Sequence, residues 1–333
     1  MLNKTLVIGA GSWGTALAIA IARNDKAVSL WGRNCQHREA MKTHRHNVDY
    51  IDNVPFPDTL EICDDLLKEA RLCDHLLIAV PSVAFLSMLT FLKPVIANHQ
   101  LISWATKGLI PDSGDMLDSA ITKLLGQAQP RVVISGPSFA QEVASNLPTA
   151  MTIASNEERY SQQVAQLLHQ PTLRAYTSSD MMGVQLGGAL KNIMAIAAGI
   201  ADGLVYGANT RAALITRGLA EIRRYATVMG AEMDTIMGLA GMGDLLLTCT
   251  DAQSRNRQLG VAIGQGLTVE QAIAKIGKTV EGMYAAKEVY QQAKLRQIDM
   301  PIVTEVYHVL YENRQPVDAV KHLLSRQAKP EKG

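Results

Sequence analysis

The chain has 333 residues, of which 47% are apolar and 19% charged, with 25 glycines and 12 prolines. Those proportions exclude a disordered or fibrous chain, and at about 150 residues per domain the length predicts two domains. With 32 Lys and Arg against 31 Asp and Glu, the net charge of +1 excludes capture of nucleic acid or an anionic membrane by bulk charge, leaving room for a local cationic pocket.

From residue 5 to about residue 179, short β-branched runs alternate with helical stretches. Residues 5–9 read as a buried strand and 13–23 as an Ala-rich helix, with further strands expected at 27–31, 76–80, 101–105, 131–135 and 149–154. Continuous apolar strands bounded by turn residues predict a parallel sheet covered on both faces. Residues 47–59, with two prolines and several polar side chains, read as an irregular loop.

Beyond residue 178 the strand signals fade. Helices are expected at 180–203, 210–229, 244–249, 268–275, 282–296, 302–312 and 316–326. Asp180 and Thr268 are placed as N-caps, the latter with Gln271 three residues on, and Pro316 sits in a first turn. The charged tail 327–333 reads as frayed. Residues 1–179 and 180–326 are thus expected as two domains.

The four cysteines, at 35, 63, 73 and 249, lack the paired spacing of a zinc site or a redox motif, which predicts no metal and reduced thiols in a cytoplasmic chain. Gly9, Gly11, Ser12 and Gly14 interrupt the apolar N-terminus, so it reads as strand, turn and helix rather than a signal peptide. The most membrane-like stretch, 181–201, carries Lys191 and four glycines, and no membrane span is expected.

Gly9-Ala-Gly-Ser-Trp-Gly14 follows a strand and opens a helix, the context of the dinucleotide fingerprint. Gly9 permits the tight turn, Gly11 lets backbone approach a pyrophosphate, and Gly14 lets helix and sheet pack closely. The helix N-terminus, at Ser12 and Trp13, offers unpaired N–H groups to the phosphates. The expected fold is therefore α/β: a Rossmann-like, doubly wound parallel sheet followed by an all-helical C-terminal domain. Where NAD is selected, an acidic residue ends the second strand; here Trp31-Gly-Arg-Asn34 does, with no carboxylate before Glu39. Arg33 suits a 2′-phosphate, which favours NADP with NAD as the second cofactor, although a solvated surface arginine fits the same position.

Lys191 is the one ionisable residue between Asp180 and Asp202, on a helix apolar nearly all round. An ammonium there must find partners or lose its proton, so it reads as a catalytic lysine, with a salt-bridged or snorkelling lysine as the plainer alternative. Lys107 and the Gly136-Pro-Ser-Phe-Ala140 turn each follow a predicted strand, where ligands gather in open α/β sheets, although a solvated loop lysine and a plain structural turn fit the same positions. Asp244 and Thr248 are four apart on one helical face, though Asp244 also fits a simple N-cap. Ser254-Arg-Asn-Arg257 is a compact cluster in which Arg255 can grip a phosphate and Asn256 can supply a neutral donor; a solvated helix face fits it too.

Together with Gly187-Gly-Ala-Leu-Lys-Asn192 and Gly238-Leu-Ala-Gly-Met-Gly-Asp244, these stretches resemble the NAD(P)-dependent glycerol-3-phosphate dehydrogenase family in its bacterial form, from Val7 to about Leu324. The resemblance implies cofactor contacts at Ser12, Trp13, Arg33, Ala140 and Glu281, with Lys107 where cofactor and substrate meet. It implies Gly136, Ser138, Asp244, Ser254, Arg255 and Asn256 at the glycerol phosphate, with Arg255 also near the cofactor. Lys191 matches the proton-transfer lysine, and Thr248 and Asp244 its supporting polar groups. Thr279, where the family commonly has a hydrophobic residue, keeps a backbone contact to the cofactor available. The implied reaction interconverts sn-glycerol 3-phosphate and dihydroxyacetone phosphate and supplies glycerophospholipid synthesis. Two other readings stay open: a 6-phosphogluconate or hydroxyacid dehydrogenase of the same plan, and a nucleotide-sensing module without turnover. An Ala- and Met-rich helical half also suits a homodimer face.

Overall fold

The computed structural model describes residues 2–51 and 53–327, so of the expected frayed tail residues 328–333 lie outside the described residues. Strand β1 (Lys4–Ile8) runs through the Gly9 turn into α1 (Ser12–Ala22), and β2 (Ala27–Trp31) precedes α2 (Cys35–His44). Next come β3 (Leu60–Ile62), α3 (Leu66–Leu72), β4 (His75–Ile78), α4 (Ser82–Leu92), β5 (Leu101–Trp104) and α5 (Leu117–Leu125). Then β6 (Arg131–Ser135), α6 (Ala140–Ala144), β7 (Thr149–Ala154), α7 (Glu158–Leu168) and β8 (Leu173–Ser178) complete the sheet half.

The strands form one sheet in the order β3-β2-β1-β4-β5-β6-β7-β8. The order reverses between β1 and β4, which opens a crevice at their carboxyl ends. Neighbours are parallel with one exception that corrects the expectation of a wholly parallel sheet: β6 and β7 are antiparallel, Ile134 facing Ile153. The five-residue α6 between them rises about 8 Å, too little to carry the chain back along the sheet. Two strands went unread in the sequence. β3 has three residues, and β8 exposes Arg174, Tyr176 and Thr177, so neither shows the continuous apolar run of the central strands. Both lie at edges of the sheet, where one side needs no burial.

After Ser178 the described chain is helical: α8 (Met181–Gly203), α9 (Gly207–Val228), α10 (Met233–Met237), a π-turn (Leu239–Gly243), α11 (Asp244–Thr250) and α12 (Arg255–Gly264). The remainder is α13 (Val269–Ile276), α14 (Glu281–Leu295), α15 (Pro301–Tyr311) and α16 (Pro316–Ser325). The expected caps are present: Asp180 accepts from the Gly183 amide at 2.8 Å, and Thr268 and Gln271 form a reciprocal capping box. The helix α12, unread in the sequence, begins within the Ser254–Arg257 cluster.

Among the described residues α8 is the one helix long and apolar enough to cross a membrane, and its apolar window is wholly buried inside the fold. Its partner α12 crosses it backbone to backbone. A Cβ on Gly199 would overlap the Arg257 carbonyl, and one on Gly260 would lie 2.7 Å from the Ile200 nitrogen. This close crossing sets the distance from the middle of α8, where Lys191 sits, to the start of α12, where Arg255 sits. Gly260→Ala is expected to force the helices apart and destabilise the protein by about 1–3 kcal/mol, read as a lower urea midpoint with an unchanged slope. An unchanged midpoint would mean that the crossing has room to spare.

Candidate active site

The three glycines after β1 have separate tasks. Gly9 holds φ +120°, and a Cβ there would lie 2.6 Å from the Ala79 carbonyl oxygen; a Cβ on Gly14 would overlap the Gly9 carbonyl. Both glycines pack protein on protein. Gly11 differs, because a Cβ there would meet nothing within 4 Å, so its backbone fronts open space. The indole Nε1 of Trp13 is buried with no hydrogen-bond partner among the described residues. A glycine facing empty space at a helix N-terminus, beside an unpaired buried donor, fits a dinucleotide pyrophosphate. Asn47, in a stretch that reads from sequence as an irregular loop, is fully buried and donates to the Ala10 carbonyl (3.0 Å) and Thr15 Oγ1 (2.7 Å), pinning this turn from behind. Arg33 is exposed just past β2, and its guanidinium has no partner among the described residues; its carbonyl accepts from Arg38.

The lysines meet at one carboxylate. Lys107, just beyond β5, reaches Asp244 Oδ2 at 2.6 Å and the Gly136 carbonyl at 3.1 Å, and its ammonium lies 6.0 Å from the Trp13 ring centre. Lys191, 6% exposed in the middle of α8, donates to the other oxygen of Asp244, Oδ1. Asp244 is itself 1% exposed, and its side chain does not cap α11, which removes the N-cap alternative. Thr248, one turn on, donates to the Asp244 carbonyl at 2.6 Å and stands 3.5 Å from its carboxylate. The π-turn can deliver Asp244 here because Gly187 lets Ala240 rest on α8, where a Cβ would overlap the Ala240 carbonyl.

Burial pushes the Lys191 ammonium down to about 7; Asp244 pulls it up and the Lys107 charge pushes it further down. Two cations on one carboxylate in a desolvated site make one of them ready to release its proton near neutrality. Gly136, at φ +129°, turns its carbonyl to both Lys107 and the Ser138 hydroxyl (3.1 Å), and Ala140 opens α6 just beyond.

A second group surrounds the first turns of α12 and α14. Arg255 is exposed and donates to the Thr279 carbonyl at 2.8 Å, so Thr279 takes part through its backbone. Ser254 spends its hydroxyl on the Arg257 amide as the N-cap of α12. Arg257 is committed to the Asp202 carboxylate, at 2.6 Å, so of the expected cationic cluster Arg255 is the arm held by a backbone carbonyl rather than by a carboxylate among the described residues. Glu281 accepts from the Ser82 amide and hydroxyl at the start of α4.

The two groups are joined by a chain of neutral hydrogen bonds. The Gly282 amide donates to Asn256 Oδ1 (2.8 Å), Asn256 Nδ2 to Asn192 Oδ1 (2.9 Å), and Asn192 Nδ2 to the Gly188 carbonyl (3.3 Å). Each link is the sequence neighbour of a site residue: Glu281, Arg255 and Lys191. Asn192 is a neutral residue with no chemistry of its own to mark it in the sequence; its adjacency to Lys191 is the one local signal. Among the described residues no cluster of three metal-ligating side chains occurs. Such a site, with an amine near its titration point and a separate cationic arm at the carboxyl ends of a dinucleotide-binding sheet, is equipped for hydride transfer with a coupled proton.

Comparison with known proteins agrees. A family model described as NAD-dependent glycerol-3-phosphate dehydrogenase N-terminus matches residues 4–161, and the C-terminus model of the same family matches 180–321. The glycerol-3-phosphate dehydrogenase (NAD(P)+) of Colwellia psychrerythraea is 50% identical over 98% of this chain and 98% of that protein. The protein of the same name from Nitrosococcus oceani is 50% identical over 98% of this chain and 95% of its own length. The crystal structure of glycerol-3-phosphate dehydrogenase from Coxiella burnetii superposes with a TM-score of 0.95 at 45% identity, covering 97% of this chain and 99% of that one. D-mandelate dehydrogenase shares the fold alone, with a TM-score of 0.66 at 13% identity over 95% of this chain and 99% of that one. The chain belongs to the NAD(P)-dependent glycerol-3-phosphate dehydrogenase family.

Proposed function

We propose that the protein interconverts sn-glycerol 3-phosphate and dihydroxyacetone phosphate with NAD(P)(H), and thereby supplies glycerol 3-phosphate for glycerophospholipid synthesis. Residues 1–179 form its dinucleotide-binding domain and 180–326 its helical substrate-binding domain; assembly as a homodimer through the helical half belongs to the same reading. One observation carries it: Lys191 shares a buried carboxylate with Lys107, at the seam of the two halves. A nucleotide sensor has no use for such a pair. The full-length likeness to dehydrogenases of a phosphorylated substrate supports this reading over a hydroxyacid enzyme.

The Gly11 turn, with Ser12, Trp13, Ala140, Arg255, Thr279 and Glu281, would hold the dinucleotide, which when bound would supply or receive the hydride. The remaining chemistry is the chain's own. In the reductive direction negative charge grows on the carbonyl oxygen, and Lys191 donates its proton there; in the oxidative direction its amine removes the hydroxyl proton. Asp244 orients both lysines and Thr248 steadies Asp244 through its backbone. Lys107 adds a second positive charge beside the substrate. Arg255, with Asn256, Ser254, Ser138 and the Gly136 turn, grips the remote phosphate, so that binding energy fixes the reacting carbon.

The ammonium is needed for reduction and the amine for oxidation, so the two directions have opposite pH limbs. Reductive turnover is expected to fall as pH rises through about 7, the value of Lys191, and oxidative turnover to rise across the same window. Asp244→Asn withdraws the charge that holds the ammonium, and the inflection should move to lower pH in both directions. Limbs of the same sign would sink the assignment. Lys191→Ala should lower turnover by about 10²–10⁴-fold while dinucleotide affinity, followed by fluorescence titration, survives.

Arg33, whose guanidinium has no partner among the described residues, favours NADP over NAD through a charge-assisted grip on the 2′-phosphate. Removing such a hydrogen bond to a charged group costs about 1.5–3 kcal/mol, roughly ten- to a hundredfold in affinity. Arg33→Ala should therefore weaken NADPH by that factor and leave NADH nearly unchanged. Equal losses for both would remove the role.

A further inference from the structure

A clasp between Ser82 and Glu281 joins the two halves. Ser82, 1% exposed and the first residue of α4, donates its hydroxyl to Glu281 Oε2 at 2.6 Å and points its amide at both carboxylate oxygens, at 3.3 and 3.4 Å. Glu281 is the first residue of α14. One carboxylate thus sits between two helix N-termini, one from each half, where the unpaired amides favour negative charge. Burial pushes its carboxyl above the usual range, and the Ser82 hydrogen bonds act against that.

The clasp touches both subsites. On the sheet side, Thr106 donates to the Val80 carbonyl at 2.7 Å, and Gly108 packs so closely that a Cβ there would lie 2.7 Å from the Ser82 Cβ and 3.4 Å from Glu281 Oε2. Lys107 stands between those two contacts. On the helical side, the residue after Glu281 is Gly282, whose amide holds Asn256 beside Arg255. We propose that Ser82 is a positioning residue: by fixing Glu281 it sets the span between the lysine pair and the Arg255–Asn256 grip. This rests on the site assigned above.

The test is a double-mutant cycle in the full chain. Kd for NADPH and kcat/KM for dihydroxyacetone phosphate are measured for Ser82→Ala, Glu281→Ala and the pair, with Tm recorded for each. Ser82→Ala should lower kcat/KM by roughly ten- to a hundredfold, the size of a lost hydrogen bond to a charged group. The double variant should be no worse than Glu281→Ala alone. Ser82→Thr, which keeps the hydroxyl, should recover most of the loss. Additive losses, an unaffected Ser82→Ala, or a Thr variant as poor as the Ala variant would each overturn the proposal. Failure of the site itself is read separately, as absent wild-type turnover or an active Lys191→Ala.

Discussion

Two ammonium groups share one buried carboxylate, and the rest of the site is arranged around that imbalance. Asp244 supplies one negative charge to Lys107 and Lys191 in surroundings nearly closed to water. A carboxylate beside a buried lysine favours the ammonium and carries its titration up from the low value that burial alone imposes, towards neutrality. A buried lysine without a carboxylate would shed its proton well below it. Burial, opposed by Asp244 and reinforced by the Lys107 charge, brings Lys191 to about 7, where both protonation states are populated. Reversible proton transfer needs that condition.

Keeping water out of the triad requires backbones to approach closely, and the glycines of α8 make the approach possible. At Gly187 the π-turn that ends on Asp244 rests against the helix; at Gly188 the space admits Ser135 and the stem of Lys107; at Gly199 α12 crosses. A methyl group at any of these positions would push away an element that carries a site residue. The apolar, glycine-interrupted composition of 181–201 thus follows from one need: backbone and lysine stem must reach the helix before any side chain fills the gap.

How far the sequence could be read followed from how local each feature is. The β1 turn, the caps at Asp180 and Thr268 and the buried helix around Lys191 are written in neighbouring residues, and they appear where expected. Edge strands β3 and β8 were invisible because an edge needs no continuous apolar run. The reversal of β7 depends on the length of α6 and its packing on α1, neither of which has a local signature. In the site, Lys107, Lys191 and Asp244 stood out because charge in apolar or glycine-rich surroundings is costly. Asn192 and Ser82 did not, since a neutral polar residue at a helix start or interior is ordinary until its partner, 64 or 199 positions away, is known.

The neutrality of those connecting residues has its own physical logic. In the proposed reaction Arg255 and Lys191 act on one substrate, and a charged residue between them would retune the amine as well as hold it. A carboxylate at position 192 would stabilise the ammonium and carry its titration up, away from neutrality; a lysine there would carry it down. The amides of Asn192 and Asn256 instead pass a fixed direction of donation from Gly282 through to the Gly188 carbonyl, with no net charge along the way. Geometry is transmitted between the two subsites while the electrostatics of the proton site stays with Asp244 and Lys107. The charged connection, Ser82 with Glu281, lies on the far side of Lys107, where two helix N-termini offset the carboxylate. In the proposed reaction that division would let one fold grip a phosphate at one end and leave an amine free to exchange its proton at the other.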